Sequence, residues 1–193
     1  MTRRSRLSIA LLAAAILVPV IAAADGVATL WPSTYAGQPA PEMPGVPQQV
    51  RDNLANFDDL DFRVYSGQQW QDVHLSHAAD VVVYWPNGYT SKGLAQHIED
   101  MKWMFSFAPD TRIVEHPVRF GTNDAEWTAV TSNLLGTFTQ TMYTFDGKVY
   151  APTGNTFNVS MVTLGHWNAA GLMDQEYLFW DNAELNKQLG IAN

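Results

Sequence analysis

Two acids sit in one short apolar run near the C-terminus: Asp174 and Glu176, within Leu172-Met-Asp-Gln-Glu-Tyr-Leu-Phe-Trp180. In a strand, residues two apart share a face, so both carboxylates and Leu178 are expected on the same side. A carboxylate inside an apolar strand is costly unless it has a partner or a task. Among apolar neighbours the pKa of Glu176 would rise toward neutrality, the condition a general acid or base needs. The competing reading is a structural glutamate held by a helix N–H or by an arginine such as Arg63 or Arg112. His97 is the second candidate. It lies three residues past Leu94, at the edge of a helical stripe, and could exchange a proton with Glu176 or with a substrate. Its alternative is a boundary histidine with satisfied hydrogen bonds.

Other polar residues carry weaker signals. Asp181 precedes Asn-Ala-Glu184 and reads as a helix N-cap, with a functional role held in reserve. His74 and His77 stand at i, i+3, a spacing that can share a metal, but no third ligand has recognisable spacing and no metal site is expected. His116, before Pro117, reads as a surface or edge residue. His166 falls on the strand face opposite Glu176 unless a bulge intervenes, which keeps it as a further reserve candidate. Trp85, Tyr89, Met101, Met161, Thr163, Asp174 and Leu178 are the expected lining of a pocket. No phosphate loop, nucleophile elbow or nucleotide-binding pattern is present in the sequence.

Periodicity predicts the elements that must position these groups. Leu54, Phe57, Leu60 and Val64 predict a helix over 50–64. Ser66-Gly-Gln-Gln69 resembles a capping box for a second helix, with Trp70 and Val73 inward. Val81 to Trp85 is a buried strand ended by Pro86-Asn-Gly88. Thr90 or Ser91 would cap a third helix, with Leu94, Ile98, Met101 and Phe105 as its stripe and Ala108-Pro-Asp110 as its stop. Residues 111–120 and 126–139 form one hairpin, and residues 157–167 and 172–180 form another. The loop over 140–155 contains Asp146-Gly147 and Pro152-Thr-Gly154, has room for a small hairpin, and has the length of a functional cover. Counting the turn 168–171 pairs Trp167 with Leu172 and Thr163 with Glu176. The order of elements predicts an α+β fold, with three helices packed on a curved antiparallel sheet.

Composition narrows the function. The chain has 19 acidic against 11 basic residues and a formal net charge of −8. Three arginines stand in the first six residues, ahead of the apolar run Leu7–Ile21 and the small residues Ala22-Ala-Ala24. This is the pattern of a secretory signal peptide over 1–24, with Thr2-Arg3-Arg4 hinting at twin-arginine export. The expected location is periplasmic or secreted, with no membrane attachment after cleavage. The acidic mature surface disfavours nucleic acid. No cysteine is present, so disulfides and thiol chemistry are excluded. Residues 31–49 hold five of the ten prolines, and residues 25–49 read as an extended arm before a single domain at 50–193.

The helix Lys92-Gly-Leu94…His97-Ile98…Met101, the strand ending His166-Trp167, the turn at Gly171 and the closing Asp181…Leu185…Gln188-Leu-Gly190 together resemble the SnoaL-like polyketide cyclases and ester cyclases of the nuclear-transport-factor-2-like group. The likeness covers residues 50–191. It implies a cone in which the sheet and three helices enclose one deep pocket. It also implies chemistry without metal or cofactor, driven by an acid on the last strand. The family's catalytic aspartate sits three residues before the closing aspartate, where this chain has Leu178; Glu176 is the nearest replacement. The resulting expectation is a cofactor-free acid/base enzyme of cyclase, isomerase or dehydratase type, acting on a small apolar carbonyl compound. The alternatives are a non-catalytic carrier of a hydrophobic ligand and a module that dimerises through the open sheet face.

Overall fold

α1 (Gln48–Asp59) buries Val50, Leu54 and Phe57 at helical spacing, then passes directly into a π-helical turn, Leu60–Tyr65. The structure is a computed structural model and describes residues 32–191; the signal peptide read at 1–24 and the start of the arm lie outside the described residues. The sequence predicted one uniform helix over 50–64. The π-turn re-phases its end, because its hydrogen bonds span five residues rather than four. Ser66 N–H donating to Asp61 O at 3.2 Å is one such bond. The capping box expected at Ser66 does not form. Its hydroxyl donates to Asp61 O at 2.6 Å and accepts Ile113 N–H at 2.8 Å, which ties the π-turn to the far wall. The predicted second helix is a short 3₁₀ segment, Trp70–Leu75, with Val73 fully buried.

β2 (His77–Tyr84) leads to β3 (Thr90–Lys92), which pairs with it antiparallel. Thr90 and Ser91 are therefore strand residues rather than caps. Gly93, with φ of 85°, makes the turn into α2 (Leu94–Phe107); a positive φ suits glycine. The main sheet also contains β5 (Arg119–Gly121), β6 (Trp127–Thr137), β9 (Thr156–Trp167) and β10 (Met173–Trp180), in the order β3-β2-β10-β9-β6-β5. All of its pairs are antiparallel except β2 with β10, which is parallel. That pair brings together segments far apart in the sequence, with α2 on the crossover between them. β7 (Met142–Tyr143) and β8 (Val149–Tyr150) form a small hairpin in the long loop. α3 (Asn182–Leu189) closes the described chain.

The arm is docked along part of its length. β1 (Thr34–Tyr35) pairs with β4 (Glu115–His116), and Met43 is buried against α1. Register in the last hairpin differs from the count made on sequence. Trp167 opposes Met173, a bulge comes next at Asp174, Glu176 opposes Gly165 and Leu178 opposes Thr163. The slip relative to expectation is even, so Met161, Thr163, Glu176 and Leu178 keep a common face. The bulge moves Asp174 off that face.

Candidate functional site

The concave face of the sheet, α2, the π-turn and α3 enclose a cavity of about 320 Å³. Glu176, Thr163, Met161 and Leu178 line it from β9 and β10, His97 and Met101 from α2, and Trp85 and Tyr89 from the end of β2 and the loop after it. Asp61 and Tyr65 also line it, and both come from the π-turn. Sequence periodicity did not single them out, because a uniform α-helix would have phased them differently. Asp174, expected in the wall, is not there. The bulge turns it to the outer face, where His166 Nδ1 lies 2.5 Å from its Oδ1. His166 packs there against Trp127, with ring centroids 4.8 Å apart, and takes no part in the cavity.

Glu176 is only 5% exposed, yet neither Arg63 nor Arg112 reaches it. Arg63 is bound to Asp59 and Asp72, and Arg112 lies against Asp110. Among the described residues the Glu176 carboxylate accepts no hydrogen bond, and its Oε2 is a buried atom without a partner. Two imidazoles face that oxygen: His97 Nε2 at 3.4 Å and His77 Nε2 at 3.7 Å. His77 was paired with His74 on sequence. In the structure His74 is exposed and turned to Gln71 O, while His77 begins β2 and reaches Glu176 across the parallel pair. Burial pushes the His97 pKa well below the ordinary histidine value, with Asp100 pulling weakly the other way. His97 is therefore a neutral ring at neutral pH. One ligating atom from each of His77, His97 and Glu176 lies within 4.8 Å of the others.

A second charged group backs the cavity wall. His116, expected at the surface, is wholly buried: its Nδ1 lies 2.7 Å from Asp58 Oδ1 and its Nε2 lies 2.9 Å from Asp61 Oδ2. Arg119 is 1% exposed and donates to Asp58 Oδ2 at 2.7 Å. Thr34, from the docked arm, donates to Asp58 Oδ1 at 2.9 Å. The arm pairing encloses His116, a contact that its neighbour Pro117 gave no sign of. Burial raises the Asp61 pKa against the opposing effect of His116, and the charges of Glu176 and Asp58 add to the rise. Burial likewise raises the Tyr65 pKa, with Asp61 and Glu176 adding to it, so Tyr65 is held as a neutral phenol.

A third network fixes α2 over the cavity. Trp85 Nε1 donates to Ser91 Oγ at 2.6 Å, Ser91 donates to Asp100, and Gln96 donates to the other Asp100 oxygen at 2.7 Å. The hydroxyl read as a helix cap is thus a link between the β2–β3 turn and α2. The mouth carries aromatic residues. Trp103 Nε1 donates to Tyr143 O at 2.7 Å, and Phe145 packs on Trp103 and Tyr89 with centroids 5.6 and 6.3 Å away. Asp181 stands outside the site as the N-cap of α3, accepting from Ala183 N and Glu184 N.

The sequence model of the SnoaL-like polyketide cyclase family matches residues 61–189. Among functionally curated proteins none matches. IdmH, a candidate polyketide cyclase from Streptomyces antibioticus, superposes with a TM-score of 0.58 at 17% identity, covering 74% of this chain and 99% of that one. A candidate SnoaL-like polyketide cyclase from Jannaschia sp. CCS1 gives a TM-score of 0.60 at 14% identity, over 80% of this chain and 100% of that one. AclR, a candidate hydroxylase from Streptomyces galilaeus, gives 0.61 at 14% identity, over 75% and 99%. At such identities the structural likeness establishes the fold, and one fold hosts different reactions. The family match spans most of the chain, from the π-turn that carries Asp61 to the last residue of α3, and this protein belongs to the SnoaL-like polyketide cyclase family.

Proposed function

We propose that this protein is an acid/base enzyme that acts on a small, largely apolar carbonyl compound in the cavity, with Glu176 as the proton carrier. One observation carries the reading: a nearly buried carboxylate, without a protein hydrogen bond among the described residues, opens on an apolar cavity beside a neutral imidazole. Glu176 would take the proton from the carbon next to the carbonyl. The C–H electron pair becomes an enolate, and the carboxyl then returns its proton to the product oxygen or to a leaving hydroxyl. His97, 3.4 Å from the carboxylate, positions it and shares its proton. Tyr65, on the same cavity wall, is a donor of the kind a developing enolate oxygen needs. Cyclisation, isomerisation and dehydration all use this pair of steps. The leader composition supports action outside the cytoplasm, and sequencing the N-terminus of the mature protein tests that.

The test is exchange of the α-protons of 2-tetralone in D₂O, monitored by NMR on the tag-free protein in EDTA. Glu176→Gln keeps the shape and removes the base. Exchange is expected to fall by about 10²- to 10⁴-fold. Unchanged exchange would eliminate Glu176 as the base. One observation favours a second reading, carriage of a hydrophobic ligand: Leu178, in the cavity wall, occupies the position at which the resemblance implies an acid. An intact apolar molecule co-purifying in native mass spectrometry, with no exchange activity, selects that reading.

A further inference from the structure

We propose that His77 Nε2, His97 Nε2 and Glu176 Oε2 form a binding site for one divalent transition-metal ion of the zinc and cobalt class. Ser76 sets the orientation of the first ligand. Its hydroxyl donates to Val73 O at 3.0 Å and lies 2.8 Å from His77 Nδ1. A hydroxyl has one hydrogen, so with that hydrogen on Val73 O it accepts from His77 Nδ1–H. That arrangement leaves the His77 Nε2 lone pair free on the side of Glu176. His77 Nε2 and Glu176 Oε2 are both buried and both without a partner, with 3.7 Å between them. Two acceptors facing each other in a buried site repel unless a positive centre or a bridging donor stands between them.

The spacing suits an ion. Metal–ligand bonds of about 2.0–2.2 Å in a tetrahedron place neighbouring ligand atoms roughly 3.4 Å apart. The observed separations from Glu176 Oε2 are 3.4 Å to His97 and 3.7 Å to His77. One ligating atom from each of the three residues lies within 4.8 Å of the others, and small rotations of the two rings tighten the set. Two imidazoles and one carboxylate favour Zn²⁺, Co²⁺ or neighbouring ions over Mg²⁺ and Ca²⁺, which take all-oxygen sets. The remaining coordination positions would open on the cavity. The hydrogen bond from His77 to Ser76 is the outer contact that a ligating histidine normally has. The Asp58–His116–Asp61 cluster is not a rival site, because its acceptors are already bonded and Arg119 supplies the cation.

The metal site does not rest on the proton-transfer reading. The ion would use the lone pair that Glu176 offers a substrate, so the two occupancies compete. The test uses the tag-free, EDTA-dialysed mature protein with no carbonyl compound present. Co²⁺ alone is titrated and monitored by its visible absorption, and Zn²⁺ alone by calorimetry with metal analysis after desalting. One equivalent is expected to bind, with tetrahedral or five-coordinate cobalt bands. His77→Gln, His97→Gln and Glu176→Gln should each weaken binding by about 100-fold or more. Ser76→Ala keeps all three ligands and should weaken it by about 10- to 100-fold, which keeps the proposal testable should a ligand variant not fold. No stoichiometric binding, or binding equally tight in the ligand variants, overturns the site. Because the exchange assay runs in EDTA and the metal titration without ketone, either reading can fail while the other stands.

Discussion

His116 Nε2 lies 2.9 Å from Asp61 Oδ2, so a residue facing the cavity is bonded to one that is wholly buried behind it. The same imidazole meets Asp58 through its other nitrogen, and Arg119 completes the group. Burial opposes charge on the ring, but the hydrogen bonds and charges of Asp58 and Asp61 outweigh it and raise the His116 pKa above the ordinary 6.5. A histidine whose folded pKa is raised contributes stability that is fully present below the unfolded value and is lost as pH rises through the folded one. Asp61, also raised, acts in the same direction at lower pH. Urea midpoints of the wild type should therefore decline as pH increases above about 6.5, and His116→Gln should flatten that decline. His116→Ala takes one partner from the half-buried Asp58 and leaves the buried Asp61 carboxylate without its own, and should cost about 3–5 kcal/mol. An unchanged slope in His116→Gln would remove the ring from this role.

The cap of α3 makes a separate prediction about stability alone. Asp181 accepts from the backbone N–H of Ala183 at 2.8 Å and of Glu184 at 3.1 Å. Asp181→Ala should lower stability by about 1 kcal/mol, and Asp181→Ser should restore most of it. α-Proton exchange per folded molecule should be unaltered in both. A collapse of exchange in the serine variant would mean that Asp181 is more than a cap.

Phe145, on the β7–β8 loop, is 75% exposed but packs on Trp103 and Tyr89 at the mouth. Aromatic pairs of this kind contribute about 0.5–1.5 kcal/mol. Phe145→Ala should therefore speed release of an apolar fluorophore such as anilinonaphthalene sulfonate by about 2- to 10-fold in stopped-flow displacement. The melting temperature should barely move, since little of the ring is buried. Unchanged release would show that the hairpin does not gate the cavity.

Much of the site was legible because two local periods place side chains on faces. The period of two placed Met161, Thr163, Glu176 and Leu178 together, and an even slip in register left that unaltered. The helical stripe of α2 placed Met101 inward with His97 at its edge, and both line the cavity. The Asp181 cap needed nothing beyond a few consecutive residues. Other readings failed where a hydrogen bond from a distant segment overrode the local preference. Ser66 is claimed by Ile113, and Ser91 by Trp85 and Asp100. The bulge at Asp174 is one extra residue in a ladder, and it reverses a face without any sign in composition.

The α+β class, the main helices and the long strands β2, β6, β9 and β10, and the inward placement of Glu176 and His97 were readable along the chain, because short-range backbone geometry and burial dictate them. What those groups face was settled by folding in three dimensions. The parallel pairing of β2 with β10 brought His77 to Glu176, the π-turn brought Asp61 and Tyr65 to the cavity, and the docked arm enclosed His116. Each of these joins residues far apart in the chain or changes helical phase. Such contacts depend on which segments gain most by burying each other, a balance summed over the whole molecule rather than written in any local stretch.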